Sequence, residues 1–157
     1  MKKILVVILT VMNVITSAQI LDPVVWNFSQ KKLSENEIEL QFKATIEDDW
    51  HLYSQVVDTT SLDRPEPTSF IFFGNETYEL IGDVIEEEGI EMFDPIFNMN
   101  VKYFEHSTTF IQKIRILNQN QFVLDGEINF MTCNETQCVF PMPLPFSFTM
   151  NTSGIVE

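Results

Sequence analysis

Apolar and polar residues alternate along most of this chain. Ile38, Leu40, Phe42, Ala44 and Ile46 share one parity, and Glu39, Gln41, Lys43 and Thr45 share the other. Phe122, Leu124, Ile128 and Phe130 alternate with Asp125, Glu127 and Asn129, and Leu144, Phe146, Phe148 and Met150 with Pro145, Ser147 and Thr149. A period of two marks half-buried β-strands. Further strands are expected over 24–29, 50–53, 69–73, 78–85, 101–104 and 110–116. No stretch carries a 3.6-residue apolar stripe. Turn signals separate the runs: Glu47-Asp48-Asp49, Arg64-Pro65-Glu66-Pro67, Gly74-Asn75 and Asn118-Gln119-Asn120. Short strands in this number predict an all-β fold, an immunoglobulin-like antiparallel β-sandwich in a single domain.

Two segments do not read as strands. Residues 58–68 are polar and contain prolines, which marks a loop. Residues 86–98 begin acidic, then carry Met92, Phe93, Ile96 and Phe97 without alternation. Such a loop needs an apolar surface to cover. It either shields the core or forms a lid over a reactive site.

The N-terminus reads as an export signal spanning 1–18. Lys2 and Lys3 precede an apolar run from Ile4 to Ile15, and Thr16-Ser17-Ala18 supplies small residues before a cut. The run is short of the about 20 residues a membrane span needs. The mature domain is then 19–157, exported to the periplasm, with no stable membrane insertion. Without Lys2 and Lys3, seven basic residues face 23 acidic ones, a net charge of −16. That balance excludes nucleic acid, whose phosphates require clustered Lys and Arg. A soluble monomer is expected.

The two cysteines, Cys133 and Cys138, lie between the expected hairpin arms 122–131 and 143–150. They are too close in sequence to bridge two sheets. Pro141, Pro143 and Pro145 mark the second arm as starting on an edge. Exported thiols meet an oxidising compartment and pair. A loop this short restrains the unfolded chain by only about 2 kcal/mol, against about 4.7 for a loop of about 100 residues. The pair therefore has three readings: a structural bond, a redox-active dithiol, or a metal site completed by His51, His106, Met131 or Met142. Zinc-finger spacing is absent; soft Cys and Met ligands suit Cu(I) better. No Lys or Arg follows Phe122 to lower the thiol pKa, and Glu135 raises it, which describes a passive exchange partner. No serine-nucleophile motif occurs, and no cofactor is called for. Sequons stand at Asn27, Asn75, Asn134 and Asn151.

Several of these elements resemble the N-terminal periplasmic domain of the thiol:disulfide interchange protein DsbD, in a stand-alone bacterial form. They are Trp50-His51-Leu52-Tyr53, Phe93-Asp94-Pro95, Val101-Lys102-Tyr103-Phe104 with Phe110-Ile111-Gln112-Lys113-Ile114, and Gly126-x-Ile128-x-Phe130-Met131-x-Cys133-Asn134-x3-Cys138 ending in Pro141. The resemblance implies an immunoglobulin-like fold. It implies that Cys133 and Cys138 are the redox pair, with Cys138 forming the mixed disulfide. It implies that a Phe on a cap loop shields them: Phe93 first, Phe97 second. An aromatic pair beside the site becomes His51 and Tyr53 here. The cysteine spacing also departs, with Cys138 one residue further from the proline than in the better-known pattern. The implied partners are thioredoxin-fold proteins, including those of cytochrome c biogenesis, and a membrane-embedded electron donor. The implied activity is that of a thiol–disulfide oxidoreductase. Competing with it are a scaffold module with a structural hairpin disulfide and a Cu(I)-handling module.

Overall fold

A computed structural model describes residues 21–150, apart from 59, 75 and 119. The expected signal segment, the cut after Ala18, and the sequons at Asn75 and Asn151 lie outside the described residues. In chain order the strands are β1 (Val24–Lys32), β2 (Glu37–Ile46), β3 (His51–Tyr53), β4 (Ser69–Phe72), β5 (Tyr78–Ile85), β6 (Ile90–Asp94), β7 (Met99–Phe104), β8 (Ser107–Ile116), β9 (Phe122–Asn129), β10 (Thr132–Cys133), β11 (Cys138–Val139) and β12 (Leu144–Met150). All the strand pairings are antiparallel.

The strands form three sheets, in the orders β1-β2-β8-β5, β11-β10-β3-β7-β6 and β12-β9-β4. The second and third pack against the first. In β2 the buried residues are the apolar ones of a single parity, from Ile38 to Ile46, as a strand with one core face requires. Phe42 meets Phe70 and Phe146 at ring centroid distances of 4.9 Å, joining the first sheet to the third. Phe104 meets Phe110 at 5.7 Å, joining the second sheet to the first. The result is an all-β immunoglobulin-like sandwich.

The hairpin read from the sequence forms, with Leu144 opposite Ile128 and Met150 opposite Phe122. Its far end leaves the third sheet. Phe130 stays in the main core, packing on Trp26 at 5.4 Å. Thr132 and Cys133 then cross to β3 in the second sheet. The disulfide therefore sits where the chain changes sheets.

The segment 86–98 departs from the reading given above. It is no irregular loop throughout: Ile90–Asp94 is β6, which pairs with β7 from Ile90↔Tyr103 to Asp94↔Met99 across a turn at 95–98. Asn98 takes the left-handed conformation there, φ 52°, which Asn tolerates better than most residues. β6 is the outermost strand of its sheet. An edge strand open to water on both faces has no reason to alternate, and Ile90, Met92 and Phe93 all stay exposed. Of the apolar side chains from 92 to 97, only Phe97 packs against a core cluster.

Candidate functional site

Cys133 and Cys138 are direct cross-strand partners on β10 and β11. They are bonded to each other, with Cα atoms 4.1 Å apart. The turn between them is organised by Asn134. Its backbone N–H donates to the Gln137 carbonyl at 2.9 Å. Its side-chain oxygen accepts from the Thr136 N–H at 2.9 Å, the Thr136 hydroxyl at 3.0 Å and the Gln137 N–H at 3.0 Å. This is a side-chain-closed turn of the kind Asn favours. The two cysteines differ in burial: Cys133 is 0% exposed, whereas Cys138 is half-buried on the last strand of its sheet.

Beneath the disulfide lies a small apolar cluster of Tyr53, Val101, Tyr103, Met131 and Cys133, with Phe97, Met99 and Cys138 against it. His51 is the cross-strand partner of Cys133, and the Thr132 hydroxyl donates to the His51 carbonyl at 2.8 Å. The His51 ring stands 4.8 Å from that of Tyr103 and 5.0 Å from that of Tyr53. Its Nε2 lies 3.1 Å from the Tyr53 hydroxyl. That hydroxyl donates to Asp94 Oδ2 at 2.7 Å. Asp94 Oδ1 in turn accepts the N–H groups of Ile96 at 2.7 Å and Phe97 at 3.4 Å. Phe97 meets Tyr53 edge to face at 5.9 Å.

Burial shifts the titrating groups. It lowers the His51 pKa, outweighing the opposing pull of the Asp94 and Glu105 charges. It raises the Tyr53 pKa far above its usual value, helped by the hydrogen bond to Asp94 and that residue's charge. Tyr103 is raised too, by burial first and then by Glu105 and Asp94. All three rings are therefore uncharged at neutral pH.

Of the residues singled out from the sequence, Cys133, Cys138, His51, Tyr53 and Phe97 meet in this cluster and its rim. Phe93 stands apart: it is 53% exposed and pairs with Asn100 on the edge strand. It lines a cleft of about 930 Å³ beside the site, together with His51, Asp94, Glu105, Glu135 and Thr136. Of the two aromatics, Phe97 packs against the small cluster, while Phe93 stays exposed on the cleft wall. Alternation explains it, since Asp94 faces inward at the end of β6 and its neighbour Phe93 must face away. Met131 is buried, Met142 is 85% exposed, and His106 is exposed with Nδ1 3.6 Å from Asp48. Among the described residues, no three His, Cys, Asp or Glu side chains group as a metal set.

Sequence reasoning passed over Asp94 as a site residue, although Asp before Pro is a turn signal. It also passed over Tyr103, which reaches the site through its pairing with Tyr53 across the sheet.

The model of the N-terminal region of thiol:disulfide interchange protein DsbD matches residues 17–148. No curated sequence matches significantly. Among solved structures, the chain is similar to the N-terminal periplasmic domain of ScsB from Proteus mirabilis, at 10% identity and a TM-score of 0.56. That alignment covers 84% of this chain and 47% of the other, so the present chain corresponds to about half of the ScsB chain. It is also similar to the reduced DsbD N-terminal domain of Neisseria meningitidis, at 12% identity, a TM-score of 0.45, and coverage of 79% and 83%. A third similar structure is the complex between the DsbD N-terminal and PilB N-terminal domains of that organism, at 13% identity, a TM-score of 0.47, and coverage of 83% and 87%. The chain belongs to the DsbD N-terminal domain family, whose members exchange thiols with partner proteins.

Proposed function

We propose that this protein is a periplasmic thiol–disulfide exchange protein that relays electrons through Cys133 and Cys138. Its donor is a membrane-embedded reductase and its acceptors are thioredoxin-fold proteins. A donor thiolate attacks the Cys138 sulfur, the S–S bond breaks, and Cys133 leaves with the electron pair. The donor's second thiolate then attacks its own sulfur and frees Cys138. The donor dithiol becomes a disulfide, and the pair gains two electrons and two protons. The same steps run in reverse reduce an acceptor.

The supporting observation is the unequal burial of the two cysteines. Attack requires an approach to one sulfur, and Cys138 is the less buried residue while Cys133 is fully buried. A bond kept for stability has no need of that asymmetry. Family membership supports the partner class. The test is trapping. Cells carrying Cys133→Ala, quenched in acid and run on non-reducing gels, should show Cys138 joined to a thioredoxin-fold protein. A higher-mass band from Cys138→Ala instead would reverse the assignment, and no band from either variant would refute exchange.

A further inference from the structure

We propose that His51 is the proton acceptor and donor for the Cys133 thiol during exchange. This rests on the exchange reading above and extends it to a residue where the chain departs from the family's aromatic pair.

The argument starts from register. His51 and Cys133 are antiparallel partners on β3 and β10. Directly opposed residues project from the same face, with Cβ atoms about 4.5–5.5 Å apart. The imidazole tautomer follows from the hydrogen-bond chain. The Tyr53 hydroxyl has one proton, and it is given to Asp94 at 2.7 Å. The Tyr53 oxygen can then only accept from His51, 3.1 Å away, so Nε2 carries the imidazole proton. Nδ1 is left with a free lone pair. The chain Asp94–Tyr53–His51 is therefore polarised to leave a base on the strand facing Cys133.

The charged and titratable groups around the imidazole suit this role. Asp94 at the end of β6 and Glu105 after β7 favour its protonated form, whereas burial favours the neutral form at rest. Tyr53 and Tyr103 present uncharged rings. No Lys or Arg lines the adjacent cleft, and Glu47, Asp49 and Glu135 add carboxylates to its wall. In the resolving step the Cys133 proton passes to His51 Nδ1. The Cys133 sulfur forms its bond to Cys138 as the Cys138–partner bond breaks, and the partner sulfur leaves with the electron pair. When Cys133 is the leaving group, the proton returns to it.

The test isolates Cys133. Reduced protein is mixed with 5,5′-dithiobis(2-nitrobenzoate). The first thionitrobenzoate is released as Cys138 is labelled, and the second as Cys133 displaces the label in a unimolecular step. Stopped-flow rates are measured from about pH 5 to 9, bracketing the ordinary thiol value near 8.5. In wild type the midpoint of the second step should lie at least one pH unit below that value. In His51→Phe, which keeps a ring against Tyr103, the midpoint should rise to about 8.5 and the rate at pH 7 fall about tenfold. His51→Gln, which keeps a donor for Tyr53 but cannot titrate, should behave likewise. Superimposable profiles in wild type and either folded variant would overturn the proposal. The exchange assignment is checked separately, because Cys133→Ala should release one equivalent. Cys138→Ala also holds one thiol, so the rates decide: if it releases its equivalent faster than Cys133→Ala, that assignment fails, and the effect of His51 is read on the release from Cys133 itself.

Discussion

Tyr53 on β3 donates its hydroxyl to Asp94 at the end of β6, 2.7 Å away, across 41 positions of sequence. The same carboxylate accepts the N–H groups of Ile96 and Phe97. One side chain therefore closes the turn of the β6–β7 hairpin and fastens it to the strand beside Cys133. β7 is held by its ladder to β3, but β6 is the edge strand with an exposed apolar side, so the position of its turn depends on few further contacts. Phe97 on Tyr53 and Asp94 on Tyr53 are two of them.

Phe97 should therefore control access to the disulfide, and Phe93 should not. Burying a Phe fully contributes roughly 1.5–3 kcal/mol, and Phe97 is half-buried. Losing about 1.4 kcal/mol from the closed form predicts reduction by glutathione about tenfold faster in Phe97→Ala. Phe93→Ala should stay near the wild-type rate, because its ring already faces solvent. Rates of reduction in the three folded proteins decide the matter. A larger effect at Phe93 would mean that the ring folds inward in solution.

The long strands were legible because each places one face on the core. In β2, apolar Leu40, Phe42 and Ala44 are fully buried and their neighbours are not, which is the sequence pattern itself. β6 escaped notice because both its faces meet water, so burial imposed no alternation on Ile90, Met92 and Phe93. β10 and β11 are two residues each, too short to show a period. At the site, the cysteines stood out by proximity, but the partnership of Asp94 with Tyr53 is a tertiary contact with no local signature. Phe93 looked the better cap residue because it precedes Asp94-Pro95. In the fold its ring is exposed on the cleft wall, and Phe97 is the one that packs on the cluster, a difference that only the register of β6 reveals.

Removing the disulfide should leave the domain folded. The loop it closes is five residues of sequence separation, for which chain entropy contributes about 2 kcal/mol. Domain stabilities of about 5–15 kcal/mol tolerate that loss, and the Asn134 turn and the β3–β10 pairing remain. Thermal and urea melts of Cys133→Ala/Cys138→Ala should show a cooperative transition at a modestly lower midpoint. A double variant unfolded at 25 °C would assign the bond a structural role.

Glu86 offers a test of the base of the same hairpin, through its pH dependence. It follows β5, with its side chain only 8% exposed, and it pairs with Lys102 on β7 at 2.9 Å. It also accepts from the Ser54 hydroxyl at 2.5 Å and the Gln55 N–H at 2.9 Å. Burial alone would raise its pKa, but those two hydrogen bonds and Lys102 outweigh it, and the net shift is downward. A carboxylate depressed in the folded state binds its proton more readily when unfolded. Its contribution is therefore complete above the ordinary value near 4.5 and is lost as pH falls through the lower folded value. Glu86→Gln removes the charge and strands the Lys102 ammonium. At pH 7 this should cost about 2 kcal/mol, the scale of a hydrogen bond to a charged group. Urea melts of both proteins at descending pH should show the gap narrowing once pH drops below the ordinary glutamate value. A gap that stayed constant through acid would mean that the carboxylate acts as a neutral hydrogen-bond acceptor and that the ion pair with Lys102 contributes nothing to holding β7 in place.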